Sequence, residues 1–131
     1  MTEQENPNLY SPLTLAFLGD AVYELCARQY VGAQKNRPVG ELHQRAVALV
    51  NAGAQSAALE RLLPLLTPEE LAVFKRGRNA SASSTPKHAE IADYRRATGV
   101  EALFGYLFLR GEQQRLQELF LRMNHLEDME A

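Results

Sequence analysis

Several features that mark particular classes of protein are missing from this sequence of 131 residues. It has one cysteine, Cys26, so a disulfide within the chain and a cysteine-based zinc site are both excluded. No segment approaches the roughly 18 apolar residues that a membrane-spanning helix needs. The N-terminal stretch is polar and acidic, unlike a secretory signal peptide. These absences predict a cytoplasmic protein with no membrane association.

Strand-length alternation of apolar and polar residues is also absent, as are internal repeats. Hydrophobic residues make up 46% of the chain, which argues against disorder, and 131 residues are enough for one domain with a single core. Where apolar residues recur, they do so at helical spacing. The sequence therefore predicts an all-α domain of six or seven helices.

Capping residues place the helices of the N-terminal half. Ser11-Pro12 predicts the start of a helix that ends near Gly32, with an apolar stripe given by Leu15, Leu18, Val22 and Leu25. A second helical pattern begins at Glu41, is interrupted at 51–53, and resumes until Pro64. Cys26 lies beside the stripe, so we interpret it as a small core residue rather than a nucleophile.

The C-terminal half begins with a strong helix signal at Thr67-Pro68-Glu69-Glu70, a capping box. This helix is predicted to end at 75–77, and a polar loop follows over 78–86. A long helix is predicted from Lys87 to Arg110, with Gly99 and Gly105 tolerated because a neighbouring helix approaches closely. The last helix runs from Glu112 to about Leu126, and one of its faces carries Leu116, Leu119, Phe120 and Met123.

Two acids interrupt the most apolar helical segments, Asp20 within 15–24 and Glu101 within 94–109. Either one alone is most simply a solvated surface acid. Two such acids can meet across a helix–helix contact, where carboxylates repel unless one keeps a proton or a cation lies between them. The pair therefore predicts an oxygen-ligand metal site.

Basic residues are concentrated in one segment of an otherwise acidic chain. The formal net charge is −2, but residues 75–96 hold six basic and two acidic residues and are +4. One interpretation is an ordinary solvated face. The other is a contact surface for a polyanion such as a nucleic acid.

These segments resemble a known family. Residues 17–22, FLGDAV, resemble the signature of the ribonuclease III catalytic domain, and residues 100–109, VEALFGYLFL, resemble its second acidic helix. The resemblance covers residues 10 to 125. Three shorter segments are similar to Mini-III ribonuclease, the short bacterial branch of the family: RGRNA at 76–80, TPK at 85–87 and YR at 94–95.

The resemblance implies a ribonuclease III endonuclease-domain bundle that acts as a homodimer on double-stranded RNA. It implies that Asp20 and Glu101 are the catalytic residues and bind Mg²⁺, which lowers the pKa of a bound water and stabilises charge on the phosphate. Hydrolysis would leave a 5′-phosphate and a 3′-hydroxyl. Within the Mini-III branch the implied substrate is a precursor of 23S ribosomal RNA.

The chain departs from full-length ribonuclease III at several positions. That family has acids at three positions where this chain has Ala16, Leu13 and Thr98, which reduces the number of carboxylates expected to bind metal. After Glu101 we expect no room for a double-stranded RNA-binding domain, so the catalytic domain itself would grip RNA. Its expected RNA contacts are Arg76, Arg78, Asn79, Lys87, Arg95 and Arg96.

Some interpretations stay open at this stage. Glu24 is one turn from both Asp20 and Arg28, so it fits either a supporting role in the site, as Thr98 does, or a surface ion pair. The competing function is a non-catalytic RNA-binding or ribosome-associated protein with the same fold. In domain terms we expect an N-terminal arm at 1–10, a catalytic domain at 11–126 and an acidic tail at 127–131.

Overall fold

The structure is a computed structural model that describes residues 6–80 and 91–126. Within those ranges it contains no strand, and single 3-10 turns at Pro7–Leu9 and Leu63–Leu65 accompany the α-helices. The predicted all-α class, with six or seven helices, is confirmed. The described α-helices are α1 Pro12–Gln34, α2 Val39–Val50, α3 Ala52–Leu62, α4 Pro68–Ala80, α5 Ile91–Leu109 and α6 Gln113–Met123.

Helix α5 is the centre of the fold and packs against α1, α3, α4 and α6. Apart from half-buried Glu101, every residue from Ala97 to Leu107 is buried. Tyr23 of α1 packs edge-on against Phe104 of α5 and Phe120 of α6, with ring centroids 4.9 and 5.2 Å apart. A helix that packs against other helices on all sides has apolar residues around its whole circumference, which is why α5 shows little amphipathic pattern.

The predicted helix starts are confirmed by their caps. The Ser11 hydroxyl accepts a hydrogen bond from the Thr14 amide at 3.1 Å. Thr67 and Glu70 form the reciprocal capping box, with distances of 3.1 and 2.9 Å. The predicted interruption near 51–53 is a boundary, because Asn51 ends α2 and caps α3.

Several predicted boundaries are wrong. Helix α1 continues through Gly32 to Gln34, and α4 continues through Gly77 to Ala80, so 78–80 are helical rather than loop. Gly77 packs directly on α5, and that tertiary contact outweighs the weak helix propensity of glycine. The rest of the predicted loop and the predicted start at Lys87 lie outside the described residues. Helix α6 ends at Met123.

The apolar stripe predicted for α1 is partly wrong. Leu15 and Val22 are buried, but the Leu25 side chain is 53% exposed. The buried face is rotated toward small residues, Ala16 and Gly19, because these let α5 approach closely. The predicted loose arm also differs, since Pro7 is buried in a 3-10 turn against α5.

A partly buried ion pair joins α4 to α6. Arg115 donates from Nε and Nη2 to the two Glu70 carboxylate oxygens, at 2.9 and 2.7 Å, and from Nη2 to the Leu65 carbonyl at 2.8 Å. The Glu70 side chain is 8% exposed, so few water molecules compete for it. This contact fixes the start of α4 against the C-terminal helix. None of the described helices is long and apolar enough to cross a membrane.

Candidate active site

Helices α1 and α5 touch backbone to backbone at two glycines. A Cβ atom built on Gly19 would overlap the carbonyl oxygen of Glu101, and one built on Gly105 would overlap the carbonyl oxygen of Leu15. The predicted reason for tolerating Gly105, close approach of a neighbouring helix, is therefore confirmed. Gly99 is explained in the same way, because its Cβ would lie 2.6 Å from the Phe74 ring of α4.

This crossing brings the two predicted acids together. Asp20 directly follows Gly19, and Glu101 precedes Gly105 by one turn, so their side chains share one edge of the contact. The two carboxyl groups lie close enough for one of them, when protonated, to hydrogen-bond to the other. Such a bond requires a proton, since an ionised carboxylate can only accept.

Glu101 is the member of the pair that holds the proton. Burial, followed by the charge of Asp20 and the hydrogen bond that the protonated Glu101 donates to it, raises the pKa of Glu101 to about 8. The Glu101 side chain is half-buried, which explains why desolvation is the largest cause of its pKa shift. At neutral pH the Glu101 carboxyl is therefore mostly protonated.

The carboxyl oxygens of Asp20 and Glu101 are suitable ligands for a hard cation. Within the described ranges no arginine or lysine forms an ion pair with Asp20 or Glu101, so a cation has no protein charge to displace. Two adjacent carboxylate oxygens with open solvent on one side match the ligands that Mg²⁺ takes, with water filling its other positions. The described residues contain no cluster of three or more potential metal ligands.

The positions that depart from the wider family add no carboxylate here. Ala16 is buried on α1, and Leu13 is 41% exposed. Thr98 is buried, and its hydroxyl donates to the Tyr94 carbonyl at 2.9 Å, within its own helix. Any supporting role of Thr98 therefore acts through the backbone of α5.

Glu24 accepts a hydrogen bond from Arg28 at 3.2 Å. Both side chains are well exposed, at 40% and 60%. The surface ion pair that the sequence allowed for Glu24 is therefore present, and such a pair contributes about 0.5 kcal/mol or less to stability.

The C-terminal turns of α4 present the first of the expected RNA contacts. Arg76 and Asn79 are exposed, and Arg78 is half-buried. The Arg78 guanidinium lies over the Phe74 ring, 5.8 Å from its centroid, and its Nε donates to the Asn79 side chain at 3.2 Å. These contacts hold Arg78 in place at the surface.

The other expected RNA contacts are less uniform. Arg95 is half-buried, and its Nε is enclosed with no hydrogen-bond partner among the residues that the structure describes. Arg96 pairs with Glu60 of α3 at 3.5 Å, so it faces α3 rather than α4. Lys87 lies outside the described residues. The structure thus brings Arg78 and Asn79 together and turns Arg96 to another side of α5.

Two features of the site were not found from the sequence. The role of Gly19 was missed, although a glycine inside a predicted helix and next to the candidate acid is a usable signal. The second is a groove of about 890 Å³ between α1 and α6, lined in part by Leu25, Cys26, Tyr30 and Phe108. Burial raises the pKa of the Cys26 thiol there to about 11, which fits a packing role rather than a nucleophile.

Comparison with known proteins matches this geometry to one family. The model described as the ribonuclease III domain matches residues 13–112. A Mini-ribonuclease 3 from Thermoanaerobacter sp. is 50% identical over 109 residues, which cover 83% of this chain and 77% of that protein. A Mini-ribonuclease 3 from Brevibacillus brevis is 49% identical over 114 residues, covering 87% and 85%.

A solved structure agrees in fold. The crystal structure of a Fusobacterium nucleatum protein superposes with a TM-score of 0.78 at 30% sequence identity. The match covers 94% of this chain and 96% of that one. The similarity therefore extends across the helical bundle and is not confined to the two acidic segments.

Proposed function

We propose that Asp20 and Glu101 are the catalytic residues of this chain, which belongs to the Mini-ribonuclease 3 branch of the ribonuclease III domain family and is an endoribonuclease acting on double-stranded RNA. The observation that carries the proposal is the contact between these two carboxyl groups at the glycine crossing of α1 and α5. A solvated surface acid would not be paired with a second, half-buried acid.

Asp20 and Glu101 are also the proposed ligands of Mg²⁺. When bound, Mg²⁺ lowers the pKa of a coordinated water and offsets charge that develops on the scissile phosphate. Glu101 must release its proton to act as a ligand, and its pKa of about 8 places that release near neutral pH. Asp20, more exposed, faces the solvent from which substrate and water arrive.

The proposed RNA contacts are Arg76, Arg78, Asn79, Lys87, Arg95 and Arg96. Arg76 and Arg78 extend from the end of α4, which packs on α5 beside Thr98 and Ala102, one turn or less from Glu101. Basic side chains there can hold the phosphates of a duplex near the acidic pair. Recognition of A-form RNA depends on shape, phosphates and 2′-hydroxyls, so sequence preference from these contacts should be weak. Glu24 and Thr98 are proposed only as supporting residues.

A homodimer is proposed as the working form. One chain has one acidic pair, whereas a duplex has two strands to cut. Phe17, Ala21 and Leu25 are exposed at four-residue intervals along α1, and Phe108 of α5 is exposed beside the same groove as Leu25. An exposed apolar stripe of this kind favours a two-fold interface, in which the same surface serves both partners.

The proposed substrate is a precursor of 23S ribosomal RNA, which would place the enzyme in the cytoplasm. Support comes from similarity to the Mini-ribonuclease 3 branch. The competing non-catalytic role is disfavoured because both acids are present and in contact.

The function is tested by incubating the purified protein with long duplex RNA and with single-stranded RNA of equal length. Cleavage of the duplex in Mg²⁺, none in EDTA, and products with 5′-phosphate ends are expected. Duplex binding without cleavage in Mg²⁺ would instead support the non-catalytic role.

A further inference from the structure

We propose that Gly19 and Gly105 are positioning residues for the acidic pair, because their missing side chains set the separation of α1 and α5 and with it that of the Asp20 and Glu101 carboxylates. The inference rests on the proposed metal site and identifies what keeps its two carboxylates at a fixed separation. Neither glycine has a positive φ, so neither is required for its backbone conformation. Each costs about 1 kcal/mol relative to alanine in a helix interior, so close contact is the remaining reason for them.

The contact is reciprocal and involves backbone atoms on both sides. A Cβ on Gly19 would overlap the Glu101 carbonyl and lie 2.8 Å from the Gly105 nitrogen. A Cβ on Gly105 would overlap the Leu15 carbonyl and lie 3.1 Å from the Gly19 nitrogen. Backbone atoms cannot rotate away as a flexible side chain can, so a methyl group at either position must move one helix relative to the other.

That movement would be felt directly at the carboxylates. The backbone group that Gly19 touches belongs to Glu101 itself, and Asp20 is the next residue along α1. Mg²⁺ demands near-octahedral geometry, with ligand oxygens at about 2.0–2.1 Å. Relieving the overlaps needs a shift of about 1 Å or more, and a misplacement of about 1 Å costs about a hundredfold in the rate of a well-positioned reaction.

Gly77 provides a matched control at a different helix contact. Its Cβ would lie 2.6 Å from the Ala102 Cβ and 3.2 Å from the Gly99 Cα, so alanine there strains the packing of α4 on α5. Neither Gly19 nor Gly105 takes part in this contact. Gly77→Ala therefore separates a general loss of stability from a change in the spacing of Asp20 and Glu101.

The experiment is a Mn²⁺ titration without RNA, followed by the electron paramagnetic resonance signal of free Mn²⁺, at a temperature where circular dichroism shows each variant folded. Gly19→Ala and Gly105→Ala should each weaken Mn²⁺ binding by at least about tenfold. Gly77→Ala should stay within about twofold of wild type despite a lower Tm. Adding Asp20→Glu to Gly19→Ala should recover part of the affinity, because the longer side chain spans the wider gap.

The outcomes separate the inference from the proposed function. Wild-type binding no tighter than that of Asp20→Asn would overturn the metal site, and the inference with it. Normal binding by wild type and by both glycine variants, with Asp20→Asn impaired, would leave the metal site standing and overturn the positioning role. If neither glycine variant folds, the single variant Asp20→Glu is the test, because Asp20 is exposed and its substitution should not disturb folding. A fixed separation of α1 and α5 predicts that this variant binds Mn²⁺ about tenfold more weakly than wild type. Unchanged Mn²⁺ binding would overturn the inference.

Discussion

Glu101 is the residue whose environment departs furthest from that of an ordinary surface acid. Its pKa is raised from 4.5 to about 8, first by burial and then by Asp20. Between those two values the unfolded chain has lost the proton that the folded chain still holds. The free energy of unfolding therefore falls as pH rises through this window, the reverse of the usual behaviour of an ion-paired carboxylate.

This shift gives a stability test that needs no substrate. In EDTA, we expect wild type to lose up to about 3 kcal/mol of stability from this group between about pH 5 and about pH 8. Glu101→Gln, which cannot ionise, should show a flatter profile and exceed wild type at about pH 8. Urea unfolding at several pH values measures both. Parallel profiles for the two proteins would contradict the assignment of the proton to Glu101.

The proposed RNA grip is tested at Arg78, which the Phe74 ring and Asn79 hold at the surface. Arg78→Ala should weaken duplex binding for all sequences alike and reduce the salt dependence by about one unit of slope. Arg122→Ala, on α6, is the control and should change neither quantity. Equal affinity and equal slope in the Arg78 variant would move the RNA surface elsewhere.

At the scale of the helices, the capping signal of α4 predicted its start correctly, whereas the stop signal did not predict its end. Thr67 and Glu70 predicted the start of α4 correctly, because a capping box is a local hydrogen-bond pattern that depends on few other residues. The end of α4 was predicted too early at Gly77, because the contact that keeps it helical is with α5, far along the chain. Local signals cannot report such contacts.

The candidate site, too, could be predicted from the sequence only in part. The two acids could be identified from the sequence, since each interrupts an apolar helical segment and carries the family's motif. That the two acids could meet across a helix–helix contact was also predicted, whereas the backbone contact at Gly19 depends on how α1 and α5 are oriented. The exposed side of α1 was also misjudged at Leu25, since burial there is decided by which face the small residues turn toward α5.

The contact between α4 and α6 predicts the largest effect of a single surface arginine. Arg115→Ala leaves the buried Glu70 carboxylate with only the hydrogen bond from the Thr67 amide and should cost about 3 kcal/mol. Arg122→Ala removes only an exposed pair with Glu118 at 3.6 Å and should cost under about 1 kcal/mol. Chemical denaturation of the two variants measures the difference, and equal losses would contradict the distinction.

At the scale of the whole molecule, the proposed working form contains two copies of the chain. Phe17 is 79% exposed, and the structure gives it no partner within the described chain that would explain a large aromatic side chain on the surface. Two glutamates at position 17 would be buried and unpaired in a two-fold interface. Phe17→Glu should therefore weaken the dimer by more than about a hundredfold and give a monomer at micromolar concentration.

Light scattering measures that change, and Val39→Glu is its control. Val39 is 81% exposed on α2, so the same substitution there adds the same charge away from the proposed interface. The Val39 variant should remain a dimer. A wild-type protein that is monomeric at micromolar concentration and still cuts both strands of a duplex would rule out the proposed assembly.

The central claim is that Asp20 and Glu101 form one centre that cleaves double-stranded RNA, and it is tested most directly by Asp20→Asn. We expect cleavage of long duplex RNA in Mg²⁺ to fall by at least about a hundredfold, with Tm and duplex binding near those of wild type because Asp20 is exposed. Glu118→Gln, an exposed acid on α6, should cut at the wild-type rate. Cleavage by Asp20→Asn at the wild-type rate would contradict the account.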